Sequence, residues 1–396
     1  MPFNKIVFAA LCSIPMLLQA QTQPIKLQDK QVLLKSGKKF SLKVPEGYQL
    51  SVAAEVSNRL RFLAKSPDGK LFATDMYNRG DNRLGRVLIF ENWNASTKKF
   101  EKTTEYLTKL RNPNQVAFYS TKDVDYIYVA ETGFIKRFRY YKGENKPRDT
   151  GTIITRFPDY GLDYKYGGWH LTRSLTFNNN KLYVSVGSSC NACIEKEPIR
   201  ACIMEMDPDG SNAKLFANGL RNSVAIKWVN NEFWVTSMGR DQIGPDKPED
   251  LLQSITKGSF YGWPYYFQFN RKIYTDPQFK DSAKPKNLKQ PSIAQVGFKA
   301  HSAPLGFEYL TGFSDPLLNN CFLVALHGST TVSRQRGNEV VQVLKDGTYR
   351  TIVGGFLQGK KENGRFGRPC DVMQSSSNAF FVTDDKSGVL YYIYRP

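Results

Sequence analysis

Residues 175–187 read LTFNNNKLYVSVG: an apolar segment, three asparagines, then a strongly β-prone run that closes on serine, valine and glycine. Asparagine tolerates the left-handed backbone of tight turns, so Asn178–Asn180 reads as a turn and the flanking runs as the two strands of a hairpin. The pattern recurs in LAKSPDGKLFATD (63–75), VAFYSTKDVDYIYVAE (116–131), IKWVNNEFWVTSMG (226–239), FEYLTGFSDPLLNNCFLVALHG (307–328) and VMQSSSNAFFVTDD (372–385). Turn formers such as Pro67-Asp68-Gly69 and Asn230-Asn231 separate the strands, and each second strand ends in small or polar residues. Anchored on Phe72, Tyr128, Tyr183, Trp234, Leu323 and Phe381, the units lie 56, 55, 51, 89 and 58 residues apart. The long interval marks an insertion between Arg240 and Ala300. Strand-only repeats of about 40 to 50 residues or more are the pattern of four-stranded propeller blades. The expected fold is all-β, a six-bladed β-propeller, with a β-sandwich or two β domains as the competing reading.

Further β-prone segments supply outer strands: GRVLIFE (85–91), FIKRFRY (134–140), ACIMEMDPDG (201–210), EVVQVLKDG (339–347) and GVLYYIYRP (388–396). YQLSVAAEV (48–56) precedes the first unit and is expected to pair with the last blade, since an open ring would expose two sheet edges. Long helices are not evident, and PEDLLQSIT (248–256) is the best short helical candidate.

Lys5 is the only charge in the first 20 residues, and an apolar stretch from Ile6 to Leu18 precedes Leu18-Gln19-Ala20. This reads as a secretory signal peptide cleaved after Ala20, which implies a soluble periplasmic or secreted protein. The expected organisation is a signal peptide at 1–20, an N-terminal extension at 21–43 and a propeller domain at 44–396. No later stretch approaches the roughly 20 apolar residues of a membrane span. Without Lys5 the 55 Lys+Arg become 54 against 36 Asp+Glu, a net charge of +18. The positive residues are scattered rather than gathered in runs, which argues for a basic soluble surface and against nucleic-acid binding.

Five cysteines follow the signal: Cys190, Cys193, Cys202, Cys321 and Cys370. Covalent haem attachment needs C-x-x-C-H, but Ile194 follows Cys193. Zinc would want a second pair or nearby histidines, and the chain has only His170, His301 and His327, none suitably spaced. In an oxidising compartment a disulfide is the default for Cys190 and Cys193, or for one of them with Cys202, and the odd count leaves a free thiol.

All three histidines sit at the ends of hairpin units, where loops of different blades converge on a propeller's channel. A single histidine is more often structural, but three such placements in so histidine-poor a chain favour a site. Arg173, Arg221, Arg240, Arg334, Arg365 and Arg368 recur in the same connections. Singly, each is as well explained by surface ion pairing; converging, they suit a ligand rich in carboxylates or phosphates. The aromatics of GWPYYF (262–267) read first as loop packing and second as a sugar platform.

Taken in order, GGWHLTRSLTFNNNKLYVSVGSSCNAC, GLRNSVAIKW, FWVTSMGRDQIGPDKPEDL, GSFYGWPYY, AHSAPLGF, VALHGS and GRPCDVMQSSSNAFFVTDDKSGVLYYI resemble the glucose/sorbosone dehydrogenase family of pyrroloquinoline quinone (PQQ) enzymes. The match runs from about Val44 to the C-terminus. The resemblance implies a six-bladed propeller carrying PQQ and Ca²⁺ at the channel mouth. It implies His170 as general base, Arg221 and Asn222 against the quinone oxygens, and the carbonyls of Gly239 and Arg240 on Ca²⁺. Arg368, with Arg334 and Arg365, would meet the PQQ carboxylates, and Arg173, His301 and His327 would share the pocket. The implied reaction is oxidation of an aldose or related sugar or aldehyde by hydride transfer. Electrons would pass to an external quinone or cytochrome.

The chain departs from the family pattern at three places. Ser188-Ser189 stand where glucose-type members carry an Asp that supports the base. HGSTTVSRQRG (327–337) lacks the Trp-Asn-Arg that usually follows HGS, and Glu249-Asp250-Leu251-Leu252 replaces an Asp-Glu-Leu ending. Two other function classes are a Ca²⁺-dependent lactonase, for which no Glu and Asn/Asp set is apparent at the blade mouths, and a non-catalytic propeller binding a glycan or peptide.

Overall fold

Each of the six repeat units folds as an antiparallel hairpin, and two further strands extend each hairpin into a four-stranded sheet. The computed structural model describes residues 25–56, 59–78, 80–158, 169–285 and 288–396, so the expected signal peptide lies outside the described residues. The first two strands of blades 1 to 6 are Leu60–Lys65 and Leu71–Asp75, Gln115–Ser120 and Asp125–Ala130, Arg173–Asn178 and Lys181–Val186, Ile226–Val229 and Glu232–Ser237, Pro304–Leu310 and Cys321–Leu326, and Pro369–Ser376 and Ala379–Asp384. The ring closes as expected: Gln49–Glu55 pairs antiparallel with Val389–Tyr394 and becomes the fourth strand of blade 6. The six four-stranded sheets thus form a closed six-bladed β-propeller.

The core lies between blades. Six buried apolar clusters fill the six blade–blade interfaces, including the one that joins blade 6 to blade 1 through Ala53, Leu63, Leu71, Phe381 and Leu390. Around the axis the contacts are polar. The hydroxyls of Thr74, Thr236 and Thr383 donate to Asn114 O (2.7 Å), Leu305 O (3.0 Å) and Arg61 O (2.7 Å), each on the first strand of the next blade or just before it. In blades 1, 4 and 6 the small polar residue near the end of the second strand is therefore an inter-blade tie. These three threonines are fully buried, where an unpaired hydroxyl or carbonyl would be costly.

Two departures from expectation follow from tertiary packing. PEDLLQSIT is not helical: Asp250–Ile255 is the third strand of blade 4, pairing with Glu232–Ser237 and burying Leu252 completely. The unpaired edge of a blade and the apolar interface outweigh local helical preference. Residues 27–45, most of them in the expected extension, form a hairpin of Leu27–Leu33 and Lys39–Pro45. It buries Val32, Leu34, Phe40, Leu42 and Val44 against blades 5 and 6, and Lys43 exchanges two 2.9 Å backbone hydrogen bonds with Gly354. The insertion after Arg240 adds a second small hairpin, Tyr266–Phe269 with Lys272–Thr275, before blade 4 is completed by Val296–Phe298.

Candidate functional site at the channel mouth

In an antiparallel hairpin the first strand begins where the second ends, so the loop entering a blade and the loop leaving its second strand share one face. Arg173 pairs with Val186, Pro304 with Leu326 and Pro369 with Asp384. That register sets His170 beside Ser188, His301 near His327, and Arg368 beside Asp385. The loops enclose a cavity of about 310 Å³ lined by His170, Arg221, Gly239, Arg240, His301, His327, Arg334 and Arg368, together with Trp169, Asp241 and Asp250. His170 and His301 hold left-handed φ angles of 51° and 66°, a strained backbone for residues other than glycine and one that clusters at functional sites.

His170 Nδ1 lies 3.0 Å from Ser188 O and 2.8 Å from Ser188 Oγ. The Ser188 hydroxyl donates its own proton to Cys190 O at 2.8 Å. Both serine oxygens therefore accept from the ring, Nδ1 carries the proton, and Nε2 keeps a lone pair with no hydrogen-bond partner among the described residues. Burial, followed by the nearby Arg221 and Arg173 charges, holds His170 well below the usual imidazole range. It is a neutral base at pH 7. A side chain on Gly187 would put its Cβ 2.4 Å from His170 Cβ, so a glycine here lets the imidazole approach the sheet.

His327 is a second neutral imidazole, its Nε2 donating to Asp385 Oδ1 at 2.6 Å. Burial brings it down to about 4 against the pull of Asp385. Asp385 also accepts from Arg61 Nη1 (2.7 Å) and from Arg59, and although burial opposes its charge, His327, Arg59 and Arg61 hold it ionised. His301 differs: Nδ1 meets Asp241 Oδ1 at 3.1 Å and Nε2 meets Gly244 O at 3.2 Å. The Asp241 contact raises its affinity for a proton, so it latches the loop that follows blade 4's second strand.

Arg221 donates Nε to Asn191 O (2.8 Å), Nη2 to Asn191 Oδ1 (3.0 Å) and Nη1 to Gly239 O (3.0 Å). Burial lowers it to about 10, still charged at pH 7. The Arg240 side chain turns away to pair with Asp276 at 2.6 and 2.9 Å, leaving its backbone at the cavity. Asp250 accepts from Gly239 N and Ala303 N, both at 2.8 Å, and burial raises it to about 6. Arg368 donates Nε to His327 O at 3.0 Å and Nη2 to Gly328 O, while its buried Nη1 has no partner among the described residues. Arg334 stands exposed at the rim.

Three expected site residues stand behind the cavity instead of lining it. Asn222 is buried with Nδ2 3.5 Å from Met238 Sδ. Arg365 donates to Ser329 O at 2.7 Å and pairs with Glu362 at 3.2 Å. Arg173 is fully buried over the Phe157 ring and donates to His170 O at 2.8 Å, so it braces the histidine's backbone. Cys190 and Cys193 form a disulfide, whereas Cys202, Cys321 and Cys370 are free and buried. The one group of three potential metal-ligating His, Cys, Asp or Glu side chains among the described residues is Cys190, Cys193 and Glu195, and its two sulfurs are bonded to each other.

The family model described as TrAA12-like matches residues 42–396. The chain belongs to the TrAA12-like family. Its resemblance to the PQQ-dependent sugar dehydrogenases is thereby borne out, and with it the reading of the chain as an enzyme of that class. A Borreliella burgdorferi protein described as uncharacterized is 27% identical over 371 residues, spanning 89% of this chain and 91% of its own. A Trichoderma reesei carbohydrate-active enzyme of family AA12, in a calcium structure, superposes with a TM-score of 0.71 at 15% identity, covering 89% of this chain and 96% of that one. The PQQ domain of a Coprinopsis cinerea pyranose dehydrogenase, in its holo form, gives 0.69 at 17% identity, covering 92% and 98%. At these identities the two superpositions establish a shared fold.

Sequence reasoning did not single out Asn191, Asp241, Asp250 or Asp385. Asp385 carries a weak signal as the polar end of a repeat unit, and Asp250 sits in the segment expected to be helical. Asn191 carries none, because its contacts with Arg221 and Asp241 cross between loops.

Proposed function

We propose that the chain is an exported quinoprotein that oxidises an aldose or a related sugar or aldehyde, with PQQ and Ca²⁺ as cofactors and His170 as general base. The observation that carries the reading is a neutral imidazole whose Nε2 is free in a cavity ringed by Arg221, Arg334 and Arg368. Family membership, and the PQQ and calcium of the fungal relatives, support it.

The residues present fit the two groups. Arg368 has a buried, unpartnered Nη1 at the cavity wall, and such a donor is satisfied by an anionic acceptor; a planar tricarboxylate supplies three. Arg368, Arg334 and Arg221 would hold it. Gly239 O has one lone pair engaged by Arg221 and Arg240 O accepts no hydrogen bond among the described residues, so both carbonyls can serve a hard cation that prefers oxygen. When bound, PQQ supplies the hydride acceptor and Ca²⁺ the Lewis acidity that favours the transfer.

His170 Nε2 takes the proton of the sugar hydroxyl as the hydride leaves the carbon that bears it. The Nδ1–H bond to Ser188 stays in place, and the imidazolium is stabilised by the two serine oxygens. Arg173 fixes the histidine's backbone, and the walls from Trp169 to His327 limit water around the developing charge. Electrons leave to an external acceptor, a quinone or a cytochrome.

Calorimetric titration of the mature protein with PQQ in the presence of Ca²⁺ tests the cofactor assignment. One saturable site is expected, weakened roughly tenfold or more in Arg368→Ala, the size of a lost charge-assisted hydrogen bond. No saturable binding, or equal binding in Arg368→Ala, would overturn it. Export is tested by the mass of the protein recovered outside the cytoplasm: it should begin at Gln21.

A further inference from the structure

The disulfide-closed loop Cys190–Cys193 touches three separate parts of the site. Cys190 O accepts from Ser188 Oγ, whose two oxygens receive His170 Nδ1. Asn191 takes two donors of Arg221, accepts from Asp241 N at 2.9 Å and returns Nδ2 to Asp241 O at 3.2 Å. Ala192 O receives Gln278 Nε2 at 3.3 Å from the blade 4 insertion. At the base of the loop, Glu195 clamps Ser189 N and Oγ at 2.7 and 2.6 Å.

We propose that this loop is the positioning element of the site, with Ser188 setting the tautomer of His170, Asn191 clamping the Arg221 guanidinium, and the disulfide holding both residues in register. The chemistry of the partners leads there. A neutral imidazole carries one proton, and it stays on Nδ1 only while the atoms facing Nδ1 accept. The Ser188 carbonyl does so as long as the loop holds it there, and the Ser188 hydroxyl does so because its own proton is committed to Cys190 O. If the loop shifts so that Ser188 O leaves Nδ1 and Cys190 O releases the hydroxyl, that hydroxyl can turn and donate to Nδ1, which places the ring proton on Nε2 and removes the lone pair from the cavity. Crosslinking the ends of a four-residue loop removes most of the conformations in which this would happen. An aspartate in place of Ser188 would also keep the proton on Nδ1, but its charge would strengthen the base; the serine fixes the tautomer and leaves the ring neutral.

Only the kinetic part of the test rests on the proposed function. With three histidines in the chain, ¹⁵N-histidine labelling gives few imidazole signals, assigned through His301→Gln and His327→Gln. At pH 7, two-bond ¹H–¹⁵N spectra of the wild type should show His170 as the Nδ1–H tautomer. Wild type treated with a phosphine reductant should convert a major fraction to Nε2–H; Ser188→Ala, which keeps the backbone carbonyl on Nδ1 and has no hydroxyl to donate, and Ser188→Thr should keep Nδ1–H. Near-ultraviolet circular dichroism verifies the fold of each sample. An Nε2–H tautomer in the disulfide-bonded wild type would overturn the proposal, as would an unchanged tautomer in the reduced protein. In the PQQ-loaded enzyme Ser188→Ala should lower kcat about tenfold with KM unmoved, as for the loss of a partner that orients a reactive imidazole, and Ser188→Thr should restore it. Absence of sugar oxidation in the wild type would instead defeat the functional reading, and the tautomer spectra would still decide this one.

Discussion

A buried imidazole gives up its proton more readily than a solvated one, because burial removes the water that stabilises the cation. His170 and His327 both follow this rule, yet their partners differ: two serine oxygens for the first, a carboxylate braced by Arg59 and Arg61 for the second. His327 titrates at about 4 in the fold and near its ordinary value of about 6.5 in the unfolded chain. Between those values the unfolded chain binds the extra proton. The stability carried by neutral His327 is therefore fully present above about pH 6.5 and is lost as pH falls toward about 4, by up to about 3 kcal/mol. In His327→Gln this component should vanish, so the gap in urea stability between pH 7 and pH 4.5 should be smaller than in the wild type. Equal gaps would show that His327 does not carry it.

At the level of strands, the ties between blades explain a sequence feature whose cause was not legible. The small polar residues closing the second strands were visible as a repeat, but that Thr74, Thr236 and Thr383 each reach the neighbouring blade requires the ring. Thr383 Oγ1 also accepts from Asp371 N at 2.9 Å. Thr383→Val keeps the shape and strands two buried backbone groups, so a loss of about 1–3 kcal/mol is expected by urea unfolding; a variant as stable as wild type would contradict the assignment. Gly187→Ala should fold but displace His170, because its Cβ has no room, and should move the His170 imidazole resonances while sparing those of His301. Unmoved His170 signals would count against the close packing. The hairpins, the third strand of every blade but the fourth, and the closing strand were legible because period-two patterning and turn residues are local; the fourth strands of the other five blades were not read. Asp250–Ile255 was misread because six residues with two adjacent leucines suit a helix as well as a strand, and only pairing with Glu232–Ser237 decides.

Over the whole molecule, six apolar interfaces close a ring, and the last is made by residues at opposite ends of the chain. A protein lacking residues 21–56 loses the fourth strand of blade 6 together with buried Val32, Leu42, Val44 and Tyr48. It should be insoluble or lack a cooperative thermal transition; an unchanged transition would mean that the ring does not depend on closure. The same closure explains how far the site could be read. Histidines and arginines at hairpin ends were visible as candidates, since the topology sends all such ends to one mouth. Which of them face the cavity was not visible, because Arg173, Asn222 and Arg365 differ from Arg221 and Arg368 only in packing. The central claim, that this mouth oxidises sugars with a quinone through His170, is tested most directly by turnover. Mature protein loaded with PQQ and Ca²⁺ should reduce an artificial electron acceptor with at least one aldose or sugar-derived aldehyde. His170→Ala, compared at saturating PQQ, should be slower by roughly 10²-fold or more. Full turnover in His170→Ala, or none in the loaded wild type across the sugar panel, would contradict the account.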